Sequence, residues 1–131
     1  VNRSGLILFA HGSRDPLWAE PFEAVAAQVR AARPHAQVRL AYLELMAPSL
    51  AEAAAQLCAA GCRSVAVLPL FLGRGAHLKR DLPQQVQALH TAHPQVDFRL
   101  CAAAGEHAAL VAAMAAVAAQ TLDDGAKDDA R

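Results

Sequence analysis

Four times along this chain a short apolar run gives way to a stretch whose apolar residues recur at helical spacing, and that alternation restricts the fold more than any other feature. Gly5–Ala10, Gln37–Tyr42, Ser64–Pro69 and Val96–Leu100 read as strands, short runs suited to a sheet covered on both faces. Behind the first, Trp18, Phe22, Val25, Ala26 and Val29 mark one face of a helix that Pro34 closes. Behind the second, Ala47-Pro-Ser49 opens a helix with Leu50, Ala54, Leu57 and Cys58 inward and Gly61 as its stop. Behind the third, a loop from Phe71 to Ala76 leads to a helix over Asp81–His90, with Leu82, Val86 and Leu89 inward. An alanine-rich helix over Glu106–Leu122 follows the fourth. Regular strand–helix alternation calls for a parallel sheet joined by right-handed crossovers. The expected fold is therefore a single α/β domain over residues 1–122, a four-stranded parallel sheet flanked by helices on both faces in flavodoxin-like wrapping. Residues 123–131 form a charged tail that is expected to fray.

Length and charge narrow the function. A chain of 131 residues holds one core. Its 12 basic and 12 acidic side chains cancel, so bulk electrostatics offer nothing to nucleic acid or to an anionic membrane. No basic-then-apolar leader opens the sequence, and Leu6–Ala10 is too short to span a bilayer. A cytoplasmic protein with neither nucleic-acid nor membrane partners is expected. Cys58, Cys62 and Cys101 are odd in number and lack the two-residue gap of a zinc knuckle, so they read as small apolar side chains.

In open parallel sheets the ligand site lies beyond the carboxyl ends of the strands. That edge collects His11, Gly12, Ser13, Arg14 and Asp15 after the first strand, and Leu43, Glu44 and Leu45 after the second. After the third it collects Gly73, Arg74, Gly75, His77, Lys79 and Arg80, and after the fourth Cys101, Gly105, Glu106 and His107. Two histidines and a glutamate arrive from separate loops. Imidazole with carboxylate suits first-row divalent ions, and three protein donors leave coordination positions open for exchange. Taken singly, each has a plainer reading: a hydrogen-bonding turn histidine, or a solvated carboxylate. His35, His90 and His93 fall near helix ends away from this edge, and His107 stands at a helix start as a supporting group at most.

Familiar ligand motifs fit poorly. Gly73-Arg-Gly75 has Leu78 where a dinucleotide fingerprint needs its third glycine, and no phosphate-loop pattern occurs. Ala10-His11 lacks the arginine that precedes the nucleophile of histidine phosphatases.

Three segments in register carry a likeness. His11-Gly-Ser-Arg-Asp15, Leu43-Glu-Leu-Met-Ala-Pro-Ser49, and Pro69-Leu-Phe-Leu-Gly-Arg-Gly-Ala-His77 through Asp81-Leu-Pro83 resemble the short sirohydrochlorin chelatases, CbiX-like enzymes that insert cobalt or iron into a corrinoid or siroheme precursor. The likeness runs from about Leu6 to Pro83. Beyond it, Ala103-Ala-Gly-Glu-His-Ala108 lacks the proline of the family's usual turn there. The resemblance implies a chelatase-like fold, an enzyme needing no nucleotide or organic cofactor, and a metal substrate held by His11, Glu44 and His77. It further implies a homodimer with its cleft near the seam.

Metal insertion exchanges two pyrrole N–H protons for one dication. Neutral His11 and His77 would ligate the ion, while Glu44 completes the site or receives a proton. Arg14, Arg74, Lys79 and Arg80 flank the histidines and suit the carboxylate rim of a tetrapyrrole. Gly73 and Gly75 would admit backbone close to a flat ring, with Leu43, Met46 and Leu72 as apolar packing surface. Cobalt, iron and nickel accept the same donors. Two other readings stay open: a non-catalytic metal or tetrapyrrole carrier, and a flavodoxin-like module binding a phosphorylated ligand.

Overall fold

A computed structural model describes residues 3–73 and 75–129, without the side chains of His77 and of residues 127–129. Strands β1 (Arg3–Ala10), β2 (Gln37–Tyr42), β3 (Cys62–Pro69) and β4 (Asp97–Leu100) alternate with helices α1 (Glu20–Ala32), α2 (Leu50–Ala59), α3 (Ala76–Ala92) and α4 (Ala108–Asp129). Single 3-10 turns at Pro16–Ala19 and Ala104–Glu106 precede α1 and α4. The sheet has the order β2-β1-β3-β4 and every pairing is parallel, as the strand–helix alternation requires. In register, Val38, Leu6, Ala66 and Arg99 form one row across it.

The strand period of two divides β1 between the layers. Ile7 and Phe9 point into the larger core with Leu57 of α2 and Leu82, Val86 and Leu89 of α3. Leu8 points the other way, against Ala26 of α1 and Val38 of β2. Burying both faces of a central strand explains why β1 reads as an unbroken apolar run. Capping chemistry fixes where α2 starts. The Ser49 hydroxyl accepts from the Glu52 N–H at 3.2 Å, and the Glu52 carboxylate accepts from the Ser49 N–H at 3.1 Å.

Two helix boundaries and the exposure of Val25 depart from the sequence reading. Helix α3 starts at Ala76, not Asp81, so Lys79 and Arg80 lie on a helix. Gly75 serves as its N-cap and the good helix formers after it extend the first turn, leaving Pro83 inside the helix. Val25 is 42% exposed, because α1 presents only a narrow stripe centred on Ala26 to the sheet. Helix α4 does not stop at Leu122 but runs on to Asp129, since Gly125 alone does not end so alanine-rich a segment.

Helix α1 covers one face of the sheet over β2 and β1, whereas α2 and α3 pack into the core on the other face. Helix α4 stands apart, meeting chiefly the Ala104–Glu106 turn. No helix among the described residues is long and apolar enough to cross a membrane.

Candidate functional site

From β1 the chain moves outward to β2, then returns past β1 to β3, so the direction of winding reverses between β1 and β3. Loops leaving the two strands diverge at such a reversal and open a crevice at their carboxyl ends. His11 is the first residue after β1 and lies at this point, exposed. Its ring stacks on Phe71, with centroids 4.3 Å apart and planes tilted by 38°. Phe71 is itself buried, 5.9 Å from the ring of Phe9, and its carbonyl accepts from the Gly105 N–H at 2.9 Å. The imidazole thus rests on a wall continuous with the core.

Main-chain hydrogen bonds continue the β1–β2 ladder past the strand ends. The Leu43 N–H donates to the Ala10 carbonyl at 2.9 Å, and the Glu44 N–H donates to the His11 carbonyl at 3.1 Å. This pairing sets Glu44 beside His11. Gly12 makes the approach possible: its φ is +95°, and a Cβ there would overlap the Glu44 carbonyl oxygen. Leu45 takes a φ of 66°, uncommon for a branched side chain, and turns the chain sharply just after Glu44. The Glu44 side chain is exposed.

The structure accordingly sets the backbones of two of the three sequence-chosen donor residues, His11 and Glu44, side by side, with both side chains exposed. His77 occupies the second position of α3, the helix that leaves β3 at the same edge, and its side chain lies outside the described part. The Leu70 N–H ties the start of that connection to the Phe9 carbonyl at 2.7 Å. Lys79 and Arg80 follow on the first turns of α3 and Arg14 on the loop after β1, all exposed; Arg74 lies outside the described residues. Among the described residues no three His, Cys, Asp or Glu side chains stand ready-grouped around a metal position. His107 is exposed beyond the Ala104–Glu106 turn. His90 is engaged elsewhere, its Nε2 lying 3.0 Å from the Phe98 carbonyl.

Sequence reasoning placed Gly12 and Gly105 at this edge without a role for either, and passed over Phe71 as part of it. The apolar run Pro69-Leu-Phe-Leu, continuing past the strand end, is the signal that marks Phe71. Gly105 sits where a Cβ would overlap the Leu72 carbonyl, so its bare backbone lets the loop after β4 lie close against the loop after β3.

The CbiX family profile matches residues 5–121, which takes in every strand from Gly5 onward and most of α4. The chain belongs to the CbiX family. Among its relatives, the sirohydrochlorin cobaltochelatase of Methanopyrus kandleri is 32% identical over 81 residues, 62% of this CbiX chain and 57% of that protein. That of Sulfolobus acidocaldarius is 34% identical over 83 residues, 63% of this chain and 66% of that one. The matched stretch is thus under two thirds of the length of these relatives. A crystal structure described as a putative cobalamin (vitamin B12) biosynthesis CbiX protein from Marinobacter aquaeolei VT8 superposes with a TM-score of 0.81 at 34% identity. The superposition covers 92% of this chain and 98% of that one. The sirohydrochlorin chelatase SirB from Bacillus subtilis subspecies spizizenii, in complex with cobalt, shares the fold at a TM-score of 0.67 and 22% identity. Here 75% of this chain matches 42% of the SirB chain.

Proposed function

We propose that this CbiX chain inserts cobalt(II) or iron(II) into sirohydrochlorin, serving cobalamin or siroheme synthesis. The observation that carries the reading is the main-chain pairing that sets Glu44 beside His11 at the reversal of the sheet, in a family whose named relatives are sirohydrochlorin cobaltochelatases.

The reaction releases two protons for each dication taken up. Neutral His11 presents a nitrogen lone pair to the ion, and His77 supplies a second from α3. Glu44 completes the set or takes a pyrrole proton as the ring closes on the metal. Three protein donors leave positions through which the ring nitrogens enter while protein donors leave. Arg14, Arg74, Lys79 and Arg80 meet the carboxylate rim of the macrocycle, with the guanidinium groups able to bond in pairs. The metal is substrate, nickel shares the same donor preference, and the step needs neither nucleotide nor organic cofactor. The chain works as a homodimer in the cytoplasm, with the cleft near the seam between copies.

The test is to mix purified protein with sirohydrochlorin and cobalt(II) or iron(II) and follow the visible spectrum. Conversion faster than the uncatalysed rate, abolished in His11→Ala and His77→Ala and reduced in Glu44→Gln, is expected. Metal binding without turnover would assign the chain to a carrier role and overturn the enzyme reading. A full rate in both histidine variants would remove the site.

A further inference from the structure

The chain from Leu43 to Ala47 stands as a small loop on the end of β2, closed at its base where the Tyr42 N–H donates to the Pro48 carbonyl at 2.9 Å. Leu45 is its central residue. Around it the Met46 N–H donates to the Glu44 carbonyl at 2.8 Å. With a φ of 66° at Leu45, so short a bond makes a γ-turn in the rarer and strained of its two mirror forms. Glycine takes a positive φ freely, whereas a bulky side chain is strained there.

Burial of the side chain would offset that strain, but Leu45 is not buried. Met46, the next residue, packs against Ala10, Ala19 and Tyr42, and Leu50 enters the core at the start of α2. Leu45 remains 57% exposed. A large aliphatic side chain left in water forgoes the stabilisation of burial. Leu45 therefore carries two costs, one in its backbone and one in its side chain, and no contact among the described residues offsets either. Such outliers cluster where a ligand uses them.

The surroundings indicate what kind of ligand. Leu17, Leu43 and Leu72 are exposed as well, on the segments that follow β1, β2 and β3 at the carboxyl edge. Apart from Val25 on α1, the other large hydrophobic side chains exposed among the described residues all lie on α4. Arg14, Lys79 and Arg80 are exposed on segments of the same edge. Aliphatic groups interspersed with cations suit a ligand that has an apolar body and an anionic rim.

We propose that Leu45 is a substrate contact, held by the strained turn at the tip of its loop so that its side chain packs on the apolar face of the tetrapyrrole. The inference rests on the chelatase reading above and adds the residue that sets the ring's position relative to Glu44. The turn joins the two functions. Its hydrogen bond uses the Glu44 carbonyl, whose oxygen lies close over Gly12, so the carboxylate-bearing residue and the apolar contact are held as one unit.

The test is Leu45→Gly, which suits the turn, relieves its strain and deletes the contact. The apparent KM for sirohydrochlorin should rise about tenfold, the effect of losing a half-covered leucine, with kcat within about twofold of wild type. The melting temperature should stay within about 2 °C of wild type or exceed it, because no packing is lost. Cobalt(II) alone should bind as before in calorimetric titration, since leucine offers the ion no donor. Leu45→Met, apolar at the same place, should recover most of the KM loss, and Leu45→Asn, which tolerates the backbone, should not. A larger fall in the melting temperature of Leu45→Gly makes the leucine a packing residue of the fold and overturns the proposal. An unchanged KM overturns it too, as does a lower light-scattering mass with ring binding intact, which would mean that protein covers the leucine. Titration with metal-free sirohydrochlorin separates this contact from the activity. A wild-type protein that binds the ring more tightly than Leu45→Gly but inserts no metal refutes the chelatase reading and leaves the contact standing. Insertion with equal KM in both proteins does the reverse.

Discussion

Replacing Gly12 with alanine tests the geometry that sets Glu44 beside His11. At a φ of +95° the backbone occupies a region that residues with a Cβ avoid, at a cost of about 1–2 kcal/mol. The added methyl also meets the Glu44 carbonyl oxygen, a backbone atom that cannot swing aside as a side-chain end can. Relief requires the loops after β1 and β2 to separate, which lengthens or breaks the Glu44 N–H to His11 carbonyl bond. A hydrogen bond of that kind contributes about 1 kcal/mol. Together the terms give about 2–3 kcal/mol, which for a domain of this size lowers the melting temperature by about 7–11 °C. Gly73→Ala is the control: a Cβ there meets nothing within 4 Å and its φ is ordinary, so its stability should stay within about 0.5 kcal/mol of wild type. Urea unfolding of both variants, with unchanged slopes, measures the difference. The expected order is wild type and Gly73→Ala together, with Gly12→Ala well below. If Gly12→Ala melts within about 2 °C of wild type, the loops are not held as described, and the pairing of Glu44 with His11 loses its structural basis.

Three further outcomes follow from particular contacts. Phe71→Leu keeps an apolar group in the core but removes the ring beneath His11, so the apparent KM for the metal should rise with kcat largely retained; unchanged kinetics would show that the stacking does not position the imidazole. The Glu52 carboxyl is held below the usual glutamate range by the backbone N–H and hydroxyl of Ser49. A depressed folded-state value means its contribution is complete above the unfolded value and is lost as pH falls through the folded one. Glu52→Gln should therefore flatten that part of the acid limb of the stability curve, and an acid limb identical to wild type would contradict this. Isothermal titration should find cobalt(II) bound at micromolar or weaker affinity; nanomolar binding would be incompatible with the open arrangement described for His11 and Glu44.

Much of the architecture is legible because it follows from periodicity. A strand buried on two faces, such as Gly5–Ala10, must be apolar at every position, and a helix on a sheet must repeat near every third or fourth residue, as Leu82, Val86 and Leu89 do. Those patterns locate the strands within two residues and name most of the core. Boundaries are less legible where one residue serves two uses. Pro83 suits a helix start, yet α3 carries it inside, and that shifts Lys79 and Arg80 from loop to helix. The carboxyl edge is legible as a list of residues, since it follows from topology alone. Which members touch is not, because contact depends on main-chain hydrogen bonds and bare glycines that have no period. Phe71 shows the difference: it lies in a predicted loop, but its partners are His11 and Phe9, more than 55 positions earlier in the chain.

A chelatase faces opposed demands, to gather a dication from dilute solution and then to surrender it. Sites that hold metal firmly fix each ligating histidine through its second ring nitrogen, hydrogen-bonded to a carboxylate or carbonyl, and losing that support weakens binding by about 10–100-fold. At His11 the support described is of another kind. The ring is steadied through its face by Phe71, and the backbone by the ladder to Glu44. Stacking confines the imidazole plane, so little ordering would remain when an ion arrives. On the proposed function, such contacts would specify position without adding to retention. That division, with aromatic contact and backbone pairing supplying geometry and the ligand's own chemistry setting affinity, is what an exchanging site needs and a storage site does not.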